Sequence, residues 1–221
     1  MAPKSCLLPL LFAGFAFAQT SSPLDIAFVL DVSRNMDRTM NFVAAGARLA
    51  TFELGSDDRV AVISYSSGAK LQTGFTSDGT KIQEAFNAAI HPAIRRSGKL
   101  CLYDAVSLAL EQFPAAPDAA RRRVIAVITN DVDQGSRRTP ADIIREAGAR
   151  GVAVWGFFIA SPAPDIAHSK VEHREIPYPD AGFAARQLQP TLNKTGGKAV
   201  VVDTNGYILR RAIAVCKGEE Q

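Results

Sequence analysis

Short apolar runs rich in β-branched residues alternate with longer amphipathic segments along most of the 221-residue chain. The apolar runs predict strands at 25–30, 59–65, 69–75, 123–129, 152–159 and 199–203. The amphipathic segments predict helices at 37–54, 79–91, 102–113, 140–150, 181–194 and 205–216. This alternation is typical of an α/β fold in which helices cover both faces of a mostly parallel sheet.

Two local patterns refine this prediction. The connection Ser66-Ser67-Gly68 is short enough to join the second and third strands as a hairpin, so one edge strand should be antiparallel. We therefore expect a three-layer, doubly wound, Rossmann-like sheet of six strands. The apolar residues predicted to lie on one side of the first helix are Met40, Val43, Ala44, Ala47 and Phe52.

The first residues have the three-part pattern of a secretory signal. Lys4 precedes an uncharged apolar run from Leu7 to Phe17, and Ala16-Phe17-Ala18 is typical of a cleavage site. We predict a signal peptide at 1–18 and a single mature domain at 19–221, exported to the periplasm or secreted. An uncleaved N-terminal anchor is the alternative, although the apolar run is short for a membrane span.

Charge and cysteine content exclude some classes of protein. The 25 Lys and Arg residues nearly balance the 22 Asp and Glu residues. The chain therefore lacks the excess of positive charge that would indicate a nucleic-acid partner. After cleavage Cys101 and Cys216 remain. We expect them at opposite edges of the sheet, beyond the roughly 7 Å that a disulfide allows between Cα atoms. Two free thiols or an intermolecular bridge are therefore predicted.

Oxygen-bearing side chains follow the first strand directly, in Asp31-Val32-Ser33-Arg34-Asn35. The carboxyl ends of strands are where open parallel sheets bind ligands. This segment resembles the start of the metal ion-dependent adhesion site of von Willebrand factor A domains, Asp-x-Ser-x-Ser. The resemblance continues at Phe75-Thr76-Ser77-Asp78, at Leu102-Tyr103-Asp104-Ala105, and along the strand from Val124 to Asn130. The similarity is greatest to bacterial secreted members of this family.

The resemblance implies a Mg²⁺ or Mn²⁺ site built from three loops, with one position open for an acidic residue of a partner protein. Carried over, the metal ligands are Asp31, Ser33 and Asn35 in the first loop and Asn130 in the third. Leu100 stands where the family has a ligating Thr and has no donor atom. A shift of register by one in the third loop would bring in Asp131, and a similar shift in the second loop would let Ser97 replace the Thr. The implied metal site is therefore degenerate.

We interpret the chain as an exported adhesion or protein-binding domain that is not an enzyme. Its partner-binding residues are predicted to be Asp31, Lys99 and Asp131, with Lys99 facing an acid of the partner. The alternative is a metal-independent structural or regulatory subunit of a larger envelope assembly, acting through the sheet edge or the proline-rich segment 161–180. A helix-capping or loop role is the other interpretation of Asp31 and Ser33. Asp104 lies in the first turn of a predicted helix, where its negative charge interacts favourably with the helix dipole.

Enzymatic motifs are missing from the sequence. No Gly-x-Ser-x-Gly follows a predicted strand, as a hydrolase would require, and no Gly-x-Gly-x-x-Gly follows the first strand, as a dinucleotide-binding fold would. His168 and His173 lie five residues apart, with no Cys nearby to complete a zinc site.

Overall fold

A computed structural model of the chain describes residues 22–90, 98–159, 181–202 and 208–218. The strands are β1 (Leu24–Asp31), β2 (Arg59–Tyr65), β3 (Ala69–Thr76), β4 (Arg122–Thr129), β5 (Ala153–Ile159) and β6 (Ala199–Val202). The α-helices are α1 (Asp37–Ala50), α2 (Gly79–Ile90), α3 (Leu102–Leu110), α4 (Pro140–Arg150), α5 (Ala181–Lys194) and α6 (Ile208–Lys217). Short 3₁₀ turns at Arg34–Met36 and Thr51–Glu53 flank α1.

The strands form one sheet in the order β3-β2-β1-β4-β5-β6. β3 pairs with β2 in antiparallel orientation, and all other neighbours are parallel. The predicted α/β class and the antiparallel edge strand are therefore confirmed. β1 lies in the middle of the sheet between β2 and β4, and every one of its residues is buried.

Helices cover both faces of the sheet. On one face, α1, α2 and α6 pack over Ile26, Phe28 and Leu30 of β1, and the Phe28 ring meets the edge of Phe86 at 5.4 Å between centroids. On the other face, α3, α4 and α5 pack over Ala27 and Val29. A strand buried on both faces needs apolar residues at successive positions, which explains the unbroken apolar run of β1.

The end of α1 differs from the prediction. Phe52 was expected on the buried side of the helix, but its side chain is 75% exposed. The α-helix ends at Ala50, and the tighter 3₁₀ turn that follows rotates Phe52 away from the core. Ala50 is buried instead. α3 is also shorter than predicted, because it ends at Leu110.

The remaining expectations meet the structure in part. Cys101 and Cys216 are both buried free thiols, as predicted. In the four described ranges, none of the helices combines the length and the apolar character that crossing a membrane would require. The predicted signal peptide at 1–18, the segment 161–180 and Ser97 lie outside the described residues.

Candidate functional site

Three polar side chains meet at the carboxyl ends of adjacent strands. Asp31 is the cross-strand neighbour of Tyr65 at the end of β2. On the other side Leu30 pairs with Ile128, which places Thr129 of β4 beside Asp31. All three residues are fully buried. Because side chains alternate along a strand, they point to the sheet face that α3 covers.

Asp31 connects the first loop to the third. Its Oδ1 accepts a hydrogen bond from the Ser33 N–H at 2.9 Å, and its Oδ2 accepts one from the Thr129 hydroxyl at 2.7 Å. The Thr129 oxygen in turn accepts from the Asp131 N–H at 3.1 Å. Burial raises the pKa of Asp31 from 3.8 to about 6, although the two hydrogen bonds favour the charged form. The carboxylate is thus kept at a position that disfavours its charge.

Buried oxygen atoms without partners surround Asp31. The Ser33 Oγ, the Asn130 Oδ1 and the Tyr65 hydroxyl make no hydrogen bond of normal length and angle with any other described residue. Leaving such an atom unsatisfied costs about 1–3 kcal/mol. Five buried side-chain atoms of the described residues are unpaired in this way, and three of them lie here. The carboxyl edge therefore concentrates unsatisfied polar atoms.

The predicted metal ligands are only partly brought together. Ser33 and Asn130 contribute buried oxygens beside Asp31, whereas Asn35 is exposed on the 3₁₀ turn. Leu100 is buried in the apolar cluster beneath α3, where it offers no ligand. Asp131 accepts hydrogen bonds from the Val132 N–H at 2.8 Å and from the Gln134 side chain at 3.1 Å.

This donor set does not fit a tightly held Mg²⁺ or Mn²⁺. Hard cations take about six oxygen ligands and are held most strongly by several carboxylates. Asp31 is the one carboxylate at the predicted ligand positions, and both of its oxygens already accept hydrogen bonds. Within the part of the chain that the structure describes, no three His, Cys, Asp or Glu side chains are grouped closely enough to hold an ion.

Hydrogen bonds of Asp104 and Asp133 hold the third loop, residues 130–139, against the start of α3. The sequence did not indicate this role. The Asp104 carboxylate accepts hydrogen bonds from the N–H groups of Arg137 at 3.0 Å and Arg138 at 2.9 Å. The Asp104 N–H donates to the Ser136 Oγ at 3.1 Å, and Asp133 accepts from the Tyr103 N–H at 3.3 Å. Asp104 therefore orders the third loop, beyond the helix-dipole role expected for it.

The second loop carries Lys99 on a fixed backbone. The Leu100 carbonyl accepts hydrogen bonds from the N–H groups of Gln134 and Gly135, each at 2.9 Å. A Cβ at Gly135 would lie 2.7 Å from the Lys99 Cβ, and one at Gly98 would lie 2.6 Å from the Ser67 Cβ. Only glycine permits these approaches. The Lys99 side chain is exposed next to the third loop, as the partner-binding prediction requires.

The site residues were found from their positions after predicted strands, and Thr129 was missed. Thr129 is the last residue of an apolar strand, so its sequence context resembles that of a core residue. Its side chain contacts a carboxylate 98 positions earlier in the chain, and no local pattern indicates such a contact.

Comparisons with known proteins agree with this architecture. A family model described as von Willebrand factor type A domain matches residues 26–133. BatB from Bacteroides thetaiotaomicron is 17% identical with a TM-score of 0.63, and an aerotolerance-related membrane protein from Bacteroides fragilis is 18% identical with a TM-score of 0.66. Each alignment covers 89% of this chain and 100% of the other.

A third similar structure is the pilus adhesin SpaC from Lactobacillus rhamnosus GG, which is 16% identical with a TM-score of 0.61. That alignment covers 91% of this chain and 31% of the adhesin. A comparison with curated protein sequences finds no match. At these identities the structural likeness shows the fold.

Proposed function

We propose that this chain, which belongs to the von Willebrand factor type A domain family, is an exported domain that binds another protein through the carboxyl edge of its sheet. Domains of this family mediate protein interactions and are in general not catalytic. The observation that carries the proposal is the group of unpaired buried oxygens around Asp31. Buried polar atoms without partners are uncommon in native proteins, and a functional role is one explanation for them.

The contact surface we propose is formed by the exposed Lys99 and the partly exposed Asp131 and is called the carboxyl-edge surface below; Asp31, predicted as a third contact, is fully buried beneath them and can only support this surface from within. Lys99 supports it because its side chain is exposed while its backbone is held between the first hairpin and the third loop. A fixed cation at this position favours an acidic side chain of the partner. The acid would then contact Lys99 directly, without a bridging metal ion.

The partner interaction should be tested with charge variants and with chelator. Lys99→Glu and Asp131→Ala should weaken a complex recovered from envelope extract, and chelator should leave it intact. Lys81→Glu is the matched control, because Lys81 is also exposed but begins α2 at the opposite edge of the sheet. A complex that chelator dissolves would contradict the metal-independent mode. A complex that both edge variants leave unchanged would favour the alternative, a structural subunit that uses another surface.

Metal affinity provides a separate test of the degenerate site. Titration calorimetry with Mg²⁺ or Mn²⁺ should show weak binding, with a dissociation constant of roughly millimolar size, as in extracellular sites with few carboxylates. The triple change Asn35→Ser, Leu100→Thr and Asn130→Asp should tighten it, because it adds a hydroxyl ligand and a negative charge. Micromolar affinity in the unmodified chain would show that the loops supply ligands in another register.

Export is proposed from the signal-like pattern of residues 1–18. Mass spectrometry of the periplasmic or secreted form should find an N-terminus at Gln19 or close to it. Recovery of the full-length protein from the cytosol alone would contradict export. In the exported form, residues 19–221 are proposed to act as a single domain.

A further inference from the structure

The outer side of α1 carries an exposed apolar ridge. Phe42 is 48% exposed and Leu49 is 43% exposed, and Phe52 on the following 3₁₀ turn is 75% exposed. A spacing of seven residues places Phe42 and Leu49 on the same side of α1, and Phe52 is exposed on the 3₁₀ turn that follows the helix. We call Phe42, Leu49 and Phe52 the outer ridge. Together, two phenylalanines and a leucine expose a larger apolar surface than a single exposed residue does.

The surroundings of the outer ridge are positively charged. Residues 34–53 and 208–217, which comprise α1, its flanking turns and the neighbouring α6, contain six Arg or Lys residues and two Asp or Glu residues. Of the two acids, Glu53 pairs with Arg210 at 2.6 Å, and among the cations Lys217 is largely buried and pairs with Asp58 at 2.9 Å. Arg48, Arg34 and Arg211 are exposed. An apolar surface bordered by cations is complementary to an anionic lipid interface, which has apolar acyl chains inside and negatively charged headgroups outside.

The shape of the ridge distinguishes between classes of partner. α1 lies between α2 and α6 in one helix layer, so its outer side faces away from the sheet. A folded protein would need complementary apolar pockets to bury these three side chains, whereas a lipid interface deforms around them. Aromatic and leucine side chains above a basic helix face are typical of helices that lie in a membrane interface.

We propose that the outer ridge inserts into the surface of an anionic phospholipid bilayer and holds the domain there peripherally. The two phenylalanines enter the boundary between headgroups and acyl chains, and Arg48 and its neighbours contact lipid phosphates. The helix lies parallel to the membrane plane and does not span it. This role does not depend on the protein-binding function proposed above, because the outer ridge shares no residue with the carboxyl-edge surface.

Vesicle flotation tests this proposal with the chain that begins at Gln19, which retains every described element. Vesicles of phosphatidylcholine with about 30% phosphatidylglycerol should carry the protein, and vesicles of phosphatidylcholine alone should carry much less. About 0.5 M salt should reduce the binding, because it screens the arginine contribution. Arg48→Glu should lower the vesicle partition coefficient several-fold and reduce its salt dependence.

Two aromatic substitutions give the decisive comparison. The double variant Phe42→Ser, Phe52→Ser should lower the partition coefficient roughly tenfold or more, because both apolar insertions are lost. Phe183→Ser is the matched control: Phe183 is also 48% exposed, but it lies on α5 at the opposite face of the sheet. It should bind vesicles like the unmodified chain. Circular dichroism confirms that each variant is folded.

Phe52→Trp provides a readout that removes no apolar side chain. Its fluorescence should shift to shorter wavelength on anionic vesicles and should be quenched by lipids brominated in the acyl chains. Failure of the unmodified chain to float with anionic vesicles would overturn the proposal, as would equal binding by the double variant. A concentration-dependent dimer in light scattering that the double variant abolishes would also overturn it, because a second copy would then cover the ridge.

Discussion

Asp31→Asn should stabilise the folded chain at neutral pH. The Asp31 side chain is fully buried, and burial raises its pKa from 3.8 to about 6. Asparagine has nearly the same shape. Its oxygen can accept from the Ser33 N–H, and its amide can donate to the Thr129 oxygen, so the geometry is preserved without the buried charge.

The size and sign of the effect follow from linkage between protonation and folding. Raising the pKa of a carboxyl group from 3.8 in the unfolded chain to about 6 in the folded chain costs about 3 kcal/mol at neutral pH. Because the folded chain binds the Asp31 proton more tightly, its stability should rise as the pH falls through about 6. This gain should be complete below the unfolded value of 3.8. The advantage of the Asn variant is therefore largest above pH 6 and disappears in acid.

Urea unfolding of both proteins across a pH series from about 2 to 8 measures this difference. Asp142→Asn is a control of opposite sign. Hydrogen bonding to the Thr139 backbone N–H and to Arg145 lowers the pKa of the exposed Asp142 to about 2. Its replacement should therefore destabilise the chain above pH 3.8, and the effect should fade toward pH 2. A less stable Asp31→Asn variant at neutral pH, or a pH-independent difference, would refute the reasoning.

Three further outcomes are expected. Asp25→Ala should lower the free energy of unfolding by about 3–5 kcal/mol in urea titrations, because it leaves the arginines that bind this buried carboxylate without their partner; a loss below about 1 kcal/mol would contradict this. Gly197→Ala should be severely destabilising, since its Cβ would lie 1.8 Å from the Val154 carbonyl oxygen, whereas Gly148→Ala in α4 has open space and should stabilise by about 0.5–1 kcal/mol; similar melting temperatures for the two variants would be inconsistent with this packing. Cys101 and Cys216 should both titrate as thiols in the unfolded, non-reduced monomer, with Cys216 reacting more slowly in the folded chain because burial raises its pKa to about 12; a peptide map with a bridge between them would disprove the predicted topology.

The strands could be predicted because a strand buried on both faces has apolar residues at consecutive positions. From Ile26 to Leu30 every side chain is apolar, and the structure buries both faces of this strand. The hairpin at Ser66-Ser67-Gly68 was likewise a local signal, since three residues leave no room for a crossover. Phe52 was predicted wrongly because a helical period was continued through a 3₁₀ turn, and the end of an α-helix depends on its packing as well as on its own sequence.

The site was predictable only in its position. Asp31 and Asn130 were expected to meet because the carboxyl ends of parallel strands lie at one edge of a sheet. The hydrogen bond from Thr129 to Asp31 and the attachment of the third loop to Asp104 connect residues 98 and 33 positions apart. Such contacts depend on how the loops pack against each other in the folded protein, and this packing cannot be predicted from spacing along the chain.

The central position of β1 also sets a timetable for folding. This strand is made first, yet one of its two neighbours, β4, ends 98 residues later, as the separation of Asp31 and Thr129 shows. At a synthesis rate of about 5–20 residues per second, β1 waits roughly 5–20 seconds for that neighbour to leave the ribosome. During this interval β2 is the one sheet neighbour of β1 that has been synthesised. Chaperones that recognise extended apolar segments therefore have several seconds in which to bind the nascent chain before its core can close.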